Sequence, residues 1–285
     1  MAAKVTRMAF GKSRFCFQNS WAVLGNWHNF VLKPSTKVQP TLGICRLSTE
    51  ATTNFVNVVN EGSYCIVEMK RSPVNSLNLE MMQELANVIE NLGEDSSCKG
   101  MILTSAISKI FSAGLDITEF LSGDEDRLRE FWKSFQNIWI KLYGSTLATI
   151  AAVNVLVYLG LGAAPAGGCL LALSCDYRIM ASDASIGPNE TQLGIVAPTW
   201  FADTIVNTLG HRKTEHILCL GQMLSSNEAK TIGLVDEVVK KDDLLSTAKK
   251  EIEKWLAIPD KARSITKLML RRATLETINE QRGRY

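Results

Sequence analysis

Residues 165–179 read Pro165-Ala166-Gly167-Gly168-Cys169-Leu170-Leu171-Ala172-Leu173-Ser174-Cys175-Asp176-Tyr177-Arg178-Ile179. Two glycines open an apolar run that meets its first charge at Asp176, so 166–174 is expected to be a buried helix. The following 176–182 (DYRIMAS) and the preceding 147–153 (LATIAAV) have the β-branched, apolar character of buried strands. Strand, small-residue turn, buried helix and strand in succession are the order of an α/β protein whose helices pack on a sheet.

The rest of the chain fits the same class. Residues 53–59 (NFVNVVN) and 64–70 (YCIVEMK) flank Glu61-Gly62-Ser63 and predict a hairpin. Asn78 is placed to cap a helix over 79–92, with Leu79, Met82, Leu85, Ile89 and Leu92 on one face. A buried strand is expected at 100–104. A helix from Asp124 to Tyr143 carries the stripe Leu128, Phe131, Trp132, Phe135, Ile138, Trp139 and Leu142, which reads as core or as an acyl-chain wall. Further helices are expected near 200–209, 212–220, 226–231, 241–256 and 259–280, with a strand at 234–239. The window 147–164 is apolar enough to raise a membrane span, but Asn154, its glycines, Pro165 and the lack of a flanking basic cluster favour strand, loop and helix.

At 285 residues, 46% hydrophobic and 21% charged, the chain has room for one large domain or two small ones and is not disordered as a whole. Residues 1–49 hold seven Lys and Arg and no acid. That leaves 24 of the 31 basic residues against all 29 acidic ones in the remainder, a poor balance for nucleic-acid binding. The acid-free leader 1–49 reads as a mitochondrial transit peptide, with a solvated tail or a membrane-surface helix as the other readings. A matrix protein is therefore expected, with a core over 50–240 and a helical region over 241–285. Seven cysteines without a CxxC pair, and three histidines of which His211 and His216 are five apart, offer neither a disulfide framework nor a metal site. Cys65, Cys169, Cys175 and Cys219 lie in apolar runs and are expected to be buried.

Three segments carry chemistry: Phe111-Ser112-Ala113-Gly114-Leu115-Asp116, Pro165-Ala166-Gly167-Gly168, and Asn189-Glu190-Thr191-Gln192-Leu193-Gly194. The two glycine turns offer backbone N–H groups to a developing oxyanion, or are merely places where small residues let the chain pass. Glu190 in its Gly- and Pro-punctuated segment is either a solvated surface carboxylate, the better reading of that segment alone, or a base with a raised pKa.

Taken together, PVNSLNLE (73–80), ILTS (102–105), FSAGLDITEF (111–120), PAGGCLLALSCDYRI (165–179), NETQLGIVAP (189–198) and AIPDKAR (257–263) resemble the crotonase (enoyl-CoA hydratase/isomerase) superfamily over about residues 53–280. The resemblance implies a ββα spiral core with a C-terminal helical region, truncated here relative to the family. It implies that the N–H groups of Ala113 and Gly167 hold a thioester oxygen, and that Ala113, Gly114, Leu115, Asp116, Ile117, Gly167 and Asn189 line the acyl-CoA site. Glu190 is implied as the catalytic base of a Δ3,Δ2-enoyl-CoA isomerase of unsaturated fatty-acid β-oxidation. No metal and no cofactor beyond the substrate's own coenzyme A is implied, and a homotrimer is. Lys70, Arg71 and Val74 lie where the family cradles coenzyme A; the basic pair reads equally as solvated. Hydratases of the family carry a second Glu where this chain has Leu170, which disfavours water addition. Departures from the family pattern are seven extra apolar residues at 155–161, Pro188 in place of the usual Leu, and the chain's end at Tyr285. They raise the alternative of a catalytically impaired acyl-CoA-binding protein.

Overall fold

Strand β1 (Val56–Asn60) turns at Gly62 and returns as β2 (Tyr64–Met69), an antiparallel pair in the register Val58↔Val67, as the alternating sequence predicts. The computed structural model describes residues 54–108, 110–121, 123–154 and 163–282. From β2 the chain enters α1 (Leu79–Glu94), where the Asn78 side chain accepts the Met81 N–H as the sequence leads one to expect. Strand β3 (Gly100–Ser105) follows, then a 3-10 turn at Ile117–Leu121 and α2 (Glu125–Tyr143), capped by Asp124.

Beyond α2 the chain alternates between two sheets. Strand β4 (Ala148–Val153) joins the main sheet, β5 (Ala163–Pro165) starts a small one, and α3 (Gly167–Ser174) follows. The cycle repeats: β6 (Tyr177–Ala181) in the main sheet, β7 (Ser185–Gly187) in the small one, then α4 (Thr199–Leu209). Helix α5 (His211–Leu220), β8 (Leu224–Ser225), α6 (Ser226–Ile232), β9 (Glu237–Val239), α7 (Leu244–Leu256) and α8 (Asp260–Arg282) complete the described chain. The main sheet has the order β1-β2-β3-β4-β6-β9 and is parallel from β2 onward; the small sheet has the order β5-β7-β8. Each of these two turns lays one strand in the main sheet, one in the small sheet and then a helix, the ββα spiral that the family resemblance implies.

The register aligns Ile66, Ile102 and Ile150 across three strands, and Leu244, Ala248 and Ile252 of α7 pack on that row. The alternate residues Val67, Leu103 and Ala151 are also buried, so the sheet is covered on both faces, as parallel sheets require. The unit Thr53–Leu275 contains the strands and α7 alike, so the division expected at residue 240 is not a boundary of packing.

Several details differ from the sequence reading. The expected strand 234–239 shrinks to Glu237–Val239, because Leu234 and Val235 are buried in the connection from α6. Lys241–Asp243 forms a 3-10 turn ahead of α7 instead of its first turn. Cys219 is exposed, since Thr214 and Ile217 already occupy the buried face of α5; Cys65, Cys169 and Cys175 are buried as expected. The leader 1–49 and the insertion 155–161 lie outside the described residues. Among the described residues no helix is long and apolar enough to cross a membrane, and the suspect window begins as strand β4.

Candidate active site

Parallel strands β5 and β7 pair in the register Pro165↔Gly187, and the Ala166 N–H donates to the Gly187 oxygen at 3.0 Å. Gly167 lies two residues beyond the first strand and Glu190 three beyond the second, so both emerge at the same end of one strand pair. Ligand sites of α/β proteins sit outside the carboxyl ends of parallel strands for this reason. Ala166 holds φ 48, ψ −118, a region costly for a residue with a Cβ, as it delivers Gly167 to the first position of α3.

The turn 111–116 meets that helix start directly. A Cβ added at Gly114 would lie 3.2 Å from the Gly167 nitrogen, and one added at Gly167 would lie 3.5 Å from the Leu115 nitrogen. On its other side the turn is stitched to residues 74–77. Ala113 donates its N–H to the Val74 oxygen at 3.0 Å, Leu77 donates to the Gly114 oxygen at 2.8 Å, and Asp116 donates to the Leu77 oxygen at 3.0 Å. This corrects the expectation for Ala113. An amide has one proton, and that of Ala113 is committed to Val74. The N–H groups of Leu115 and of Gly167 at the start of α3 have no hydrogen-bond partner among the described residues, and the two segments approach each other at these positions. Backbone alternation accounts for the shift: the parallel bridge Leu77↔Leu115 engages the Gly114 carbonyl and the Asp116 N–H, so the Leu115 N–H, opposite the Gly114 carbonyl in its peptide, points away from the bridge.

Glu190 opens a 3-10 turn, Glu190–Leu193, rather than lying in an irregular loop. The turn is anchored on the C-terminal end of α5, where Thr191 Oγ1 donates to the Leu218 oxygen and Gln192 Nε2 to the Leu220 oxygen, filling carbonyls that a helix end leaves open. The carboxylate is 8% exposed, against the solvated reading of its segment. Its Oε2, like Oδ1 of Asn189 beside it, has no hydrogen-bond partner among the described residues. Burial pushes the carboxyl up from 4.5 to about 7, because no cation offsets the loss of water. Burial also raises the Cys169 thiol well above its usual value, and the nearby Glu190 charge adds to that shift. The acid is therefore within electrostatic reach of the helix that Gly167 begins.

Leu170, where a second acid would stand, is wholly buried in α3. Asp116 is not free for catalysis. Burial opposes its charge, but Thr118 and the Arg71 guanidinium at 2.9 Å outweigh this and hold the carboxyl below the usual carboxylate range. Arg71 is thus ion-paired rather than one of a solvated pair, Lys70 is exposed, and Val74 contributes its carbonyl to Ala113. Ile117, largely exposed, starts the 3-10 turn that follows the site. Among the described residues no cluster of three or more His, Cys, Asp or Glu is placed to share a metal ion.

Residues 60–284 match the family model described as enoyl-CoA hydratase/isomerase. The chain is 47% identical over 230 residues to the mouse protein named enoyl-CoA delta isomerase 1, mitochondrial, covering 80% of this chain and 77% of that one. It is 47% identical over 219 residues to the human protein of the same name, covering 76% and 70%. The crystal structure of human mitochondrial delta3-delta2-enoyl-CoA isomerase superposes with a TM-score of 0.76 at 44% identity, over 80% of this chain and 88% of that one. Matching motifs, matching spiral and a family model that spans most of the chain lead to one conclusion: the chain belongs to the enoyl-CoA hydratase/isomerase family.

Proposed function

We propose that this protein is a Δ3,Δ2-enoyl-CoA isomerase, converting 3-cis- or 3-trans-enoyl-CoA to the 2-trans isomer. The observation that carries the reading is a single buried carboxylate, Glu190, whose Oε2 has no hydrogen-bond partner among the described residues, at the same end of one strand pair as an uncommitted helix-start N–H, Gly167. A C2 proton α to a thioester becomes acidic when the enolate oxygen is held by hydrogen-bond donors. Leu115 and Gly167 supply two amides for that oxygen. Glu190 takes the C2 proton, the electron pair runs through the enolate, and the same carboxyl returns the proton at C4 while the double bond moves from position 3 to position 2. Proton count and oxidation state are unchanged, so the step calls for no cofactor beyond the coenzyme A carried by the substrate. Water addition would need a second acid or base, and Leu170 puts hydrocarbon at that position.

The base form of Glu190 must be present in free enzyme. From a carboxyl raised to about 7, kcat/KM is expected to fall about tenfold per pH unit below that value and to level off above it. A spectrophotometric isomerase assay with 3-enoyl-CoA across pH 5–9 checks this; a flat profile argues against Glu190 as base. Binding of acyl-CoA without turnover at any pH would instead support an impaired binding protein.

The names of the mouse and human relatives support a mitochondrial location, and the acid-free leader supports delivery to the matrix for unsaturated fatty-acid β-oxidation. Uptake of the full chain by isolated mitochondria, with loss of the leader, tests this. A homotrimer is supported by exposed Ile265, Met269 and Leu270 on α8, an apolar surface that association would cover. Sedimentation equilibrium at three chain masses is the expected result, and a monomer at micromolar concentration would overturn it.

A further inference from the structure

Outside the reacting groups, the most heavily bonded point near the site is Asn75, which is fully buried. It holds φ 50, a left-handed conformation that Asn tolerates better than most residues. The two protons of its Nδ2 are shared among three acceptors within hydrogen-bond distance: the Met69 oxygen at the end of β2 (3.2 Å), Ser105 Oγ at the end of β3 (2.7 Å) and the Phe111 oxygen (3.0 Å) at the head of the donor turn. Its own carbonyl accepts from Ser112 Oγ at 2.7 Å, and that hydroxyl in turn accepts the Gly114 N–H at 3.2 Å. Ser112 also touches the other donor segment, since a Cβ on Gly168 would lie 2.5 Å from its carbonyl oxygen.

From these contacts we infer that Asn75 and Ser112 are positioning residues for the oxyanion-holding amide of Leu115. The inference rests on the reading of Leu115 and Gly167 as the paired donors. Both side chains are fully buried. Asn75 fixes where the turn 111–116 starts relative to two sheet strands. Ser112 then accepts the Gly114 N–H, which fixes the Ala113–Gly114 peptide one link before the Leu115 amide, while the Leu77 N–H holds the Gly114 oxygen on the next. A donor that is misaimed by a fraction of an ångström still lets substrate bind but holds the enolate poorly, so the loss falls on kcat more than on KM.

The test is Ser112→Ala, with Asn75→Gly as a second variant that keeps the left-handed backbone and deletes the carboxamide. Thr204→Val is the control. It deletes another buried hydroxyl, the acceptor of the Trp139 Nε1–H at 3.1 Å, remote from both donor turns in the chain. Two quantities are read: kcat against KM for 3-enoyl-CoA, and the infrared stretch of the thioester carbonyl in bound, carbon-13-labelled 2-trans-enoyl-CoA. Ser112→Ala is expected to lower kcat at least tenfold with KM changed less than threefold, and to move the stretch part of the way back toward its value in free substrate. Thr204→Val is expected to lose a similar amount of thermal stability while keeping both quantities. Wild-type kcat and stretch in Ser112→Ala, or the same loss in the control, overturns the inference, and if Asn75→Gly fails to fold Ser112→Ala decides alone. A wild-type enzyme whose bound carbonyl shows no displacement from the free value overturns the paired-amide reading itself, a result distinct from a displaced carbonyl that ignores Ser112.

Discussion

Glu190→Gln is expected to lower isomerase turnover by about 10²–10⁴, the usual contribution of a positioned general base, and at the same time to make the protein more stable above neutral pH. The two effects share one cause. The carboxyl is buried with no cation beside it, and burial, only partly offset by a backbone hydrogen bond, pushes it up from 4.5 to about 7. A folded-state pKa above the unfolded one means that the folded protein binds more protons between those values, so stability falls as pH rises from about 4.5 through 7. Above 7 the full penalty for the buried charge is present, on the order of 3 kcal/mol for a shift of this size. Gln has the same shape and no charge at any pH, so it escapes the penalty. Melting curves of the two proteins should nearly coincide at pH 4.5 and separate by several degrees at pH 8, with the variant higher. Wild-type turnover in the variant, or a melting difference that ignores pH, removes Glu190 from its role.

Gly168→Ala has the second largest expected effect. The added methyl would sit 2.5 Å from the Ser112 carbonyl oxygen and 3.3 Å from its Cβ, and the first of these is backbone that cannot rotate aside. Helix α3 and the turn 111–116 must move apart, and with them the Gly167 and Leu115 amides. Overpacking of this kind costs about 1–3 kcal/mol, and removing one oxyanion donor costs about 10²–10³ in rate. We expect a loss approaching that range in kcat together with a lowered melting temperature. Gly93→Ala is the contrasting substitution. It lies within α1 with nothing within 4 Å of the new methyl, and it should stabilise by about 0.5–1 kcal/mol with no change in rate. If Gly168→Ala turns over as fast as wild type, the close approach of the two turns is not what holds the oxyanion.

The long C-terminal helix shows how a folded contact can be invisible in sequence. Arg263, Lys267 and Arg271 recur every four residues and would pass for an ordinary solvated stripe. In the fold Arg263 donates to the Thr146 oxygen, Lys267 to the Leu147 oxygen and Asp176, and Arg271 to the Tyr143 and Ser174 oxygens. These carbonyls belong to the ends of α2 and α3 and to the entry of β4, where the helix-end dipole favours a cation. Burial pulls the Lys267 ammonium down from the usual lysine range, against the attraction of Asp176.

Sequence alone determined the order of strands and helices, the Asn78 and Asp124 caps, the buried helix behind Gly167-Gly168 and, through its motifs, the family and the candidate acid Glu190. Those features depend on periodicity, capping and turn chemistry, which neighbouring residues carry between them. Tertiary structure decided that Glu190 is buried, that β5, β7 and β8 form a second sheet, that Cys219 faces outward, and that Leu115 rather than Ala113 has the free amide. Strands of two or three residues leave too short a pattern to read. Whether a carboxylate loses its water, or an amide keeps its proton available, depends on which atoms arrive beside it, and a backbone N–H looks the same at every position until Val74, Ser112 and Leu77 take three of the four at residues 113–116.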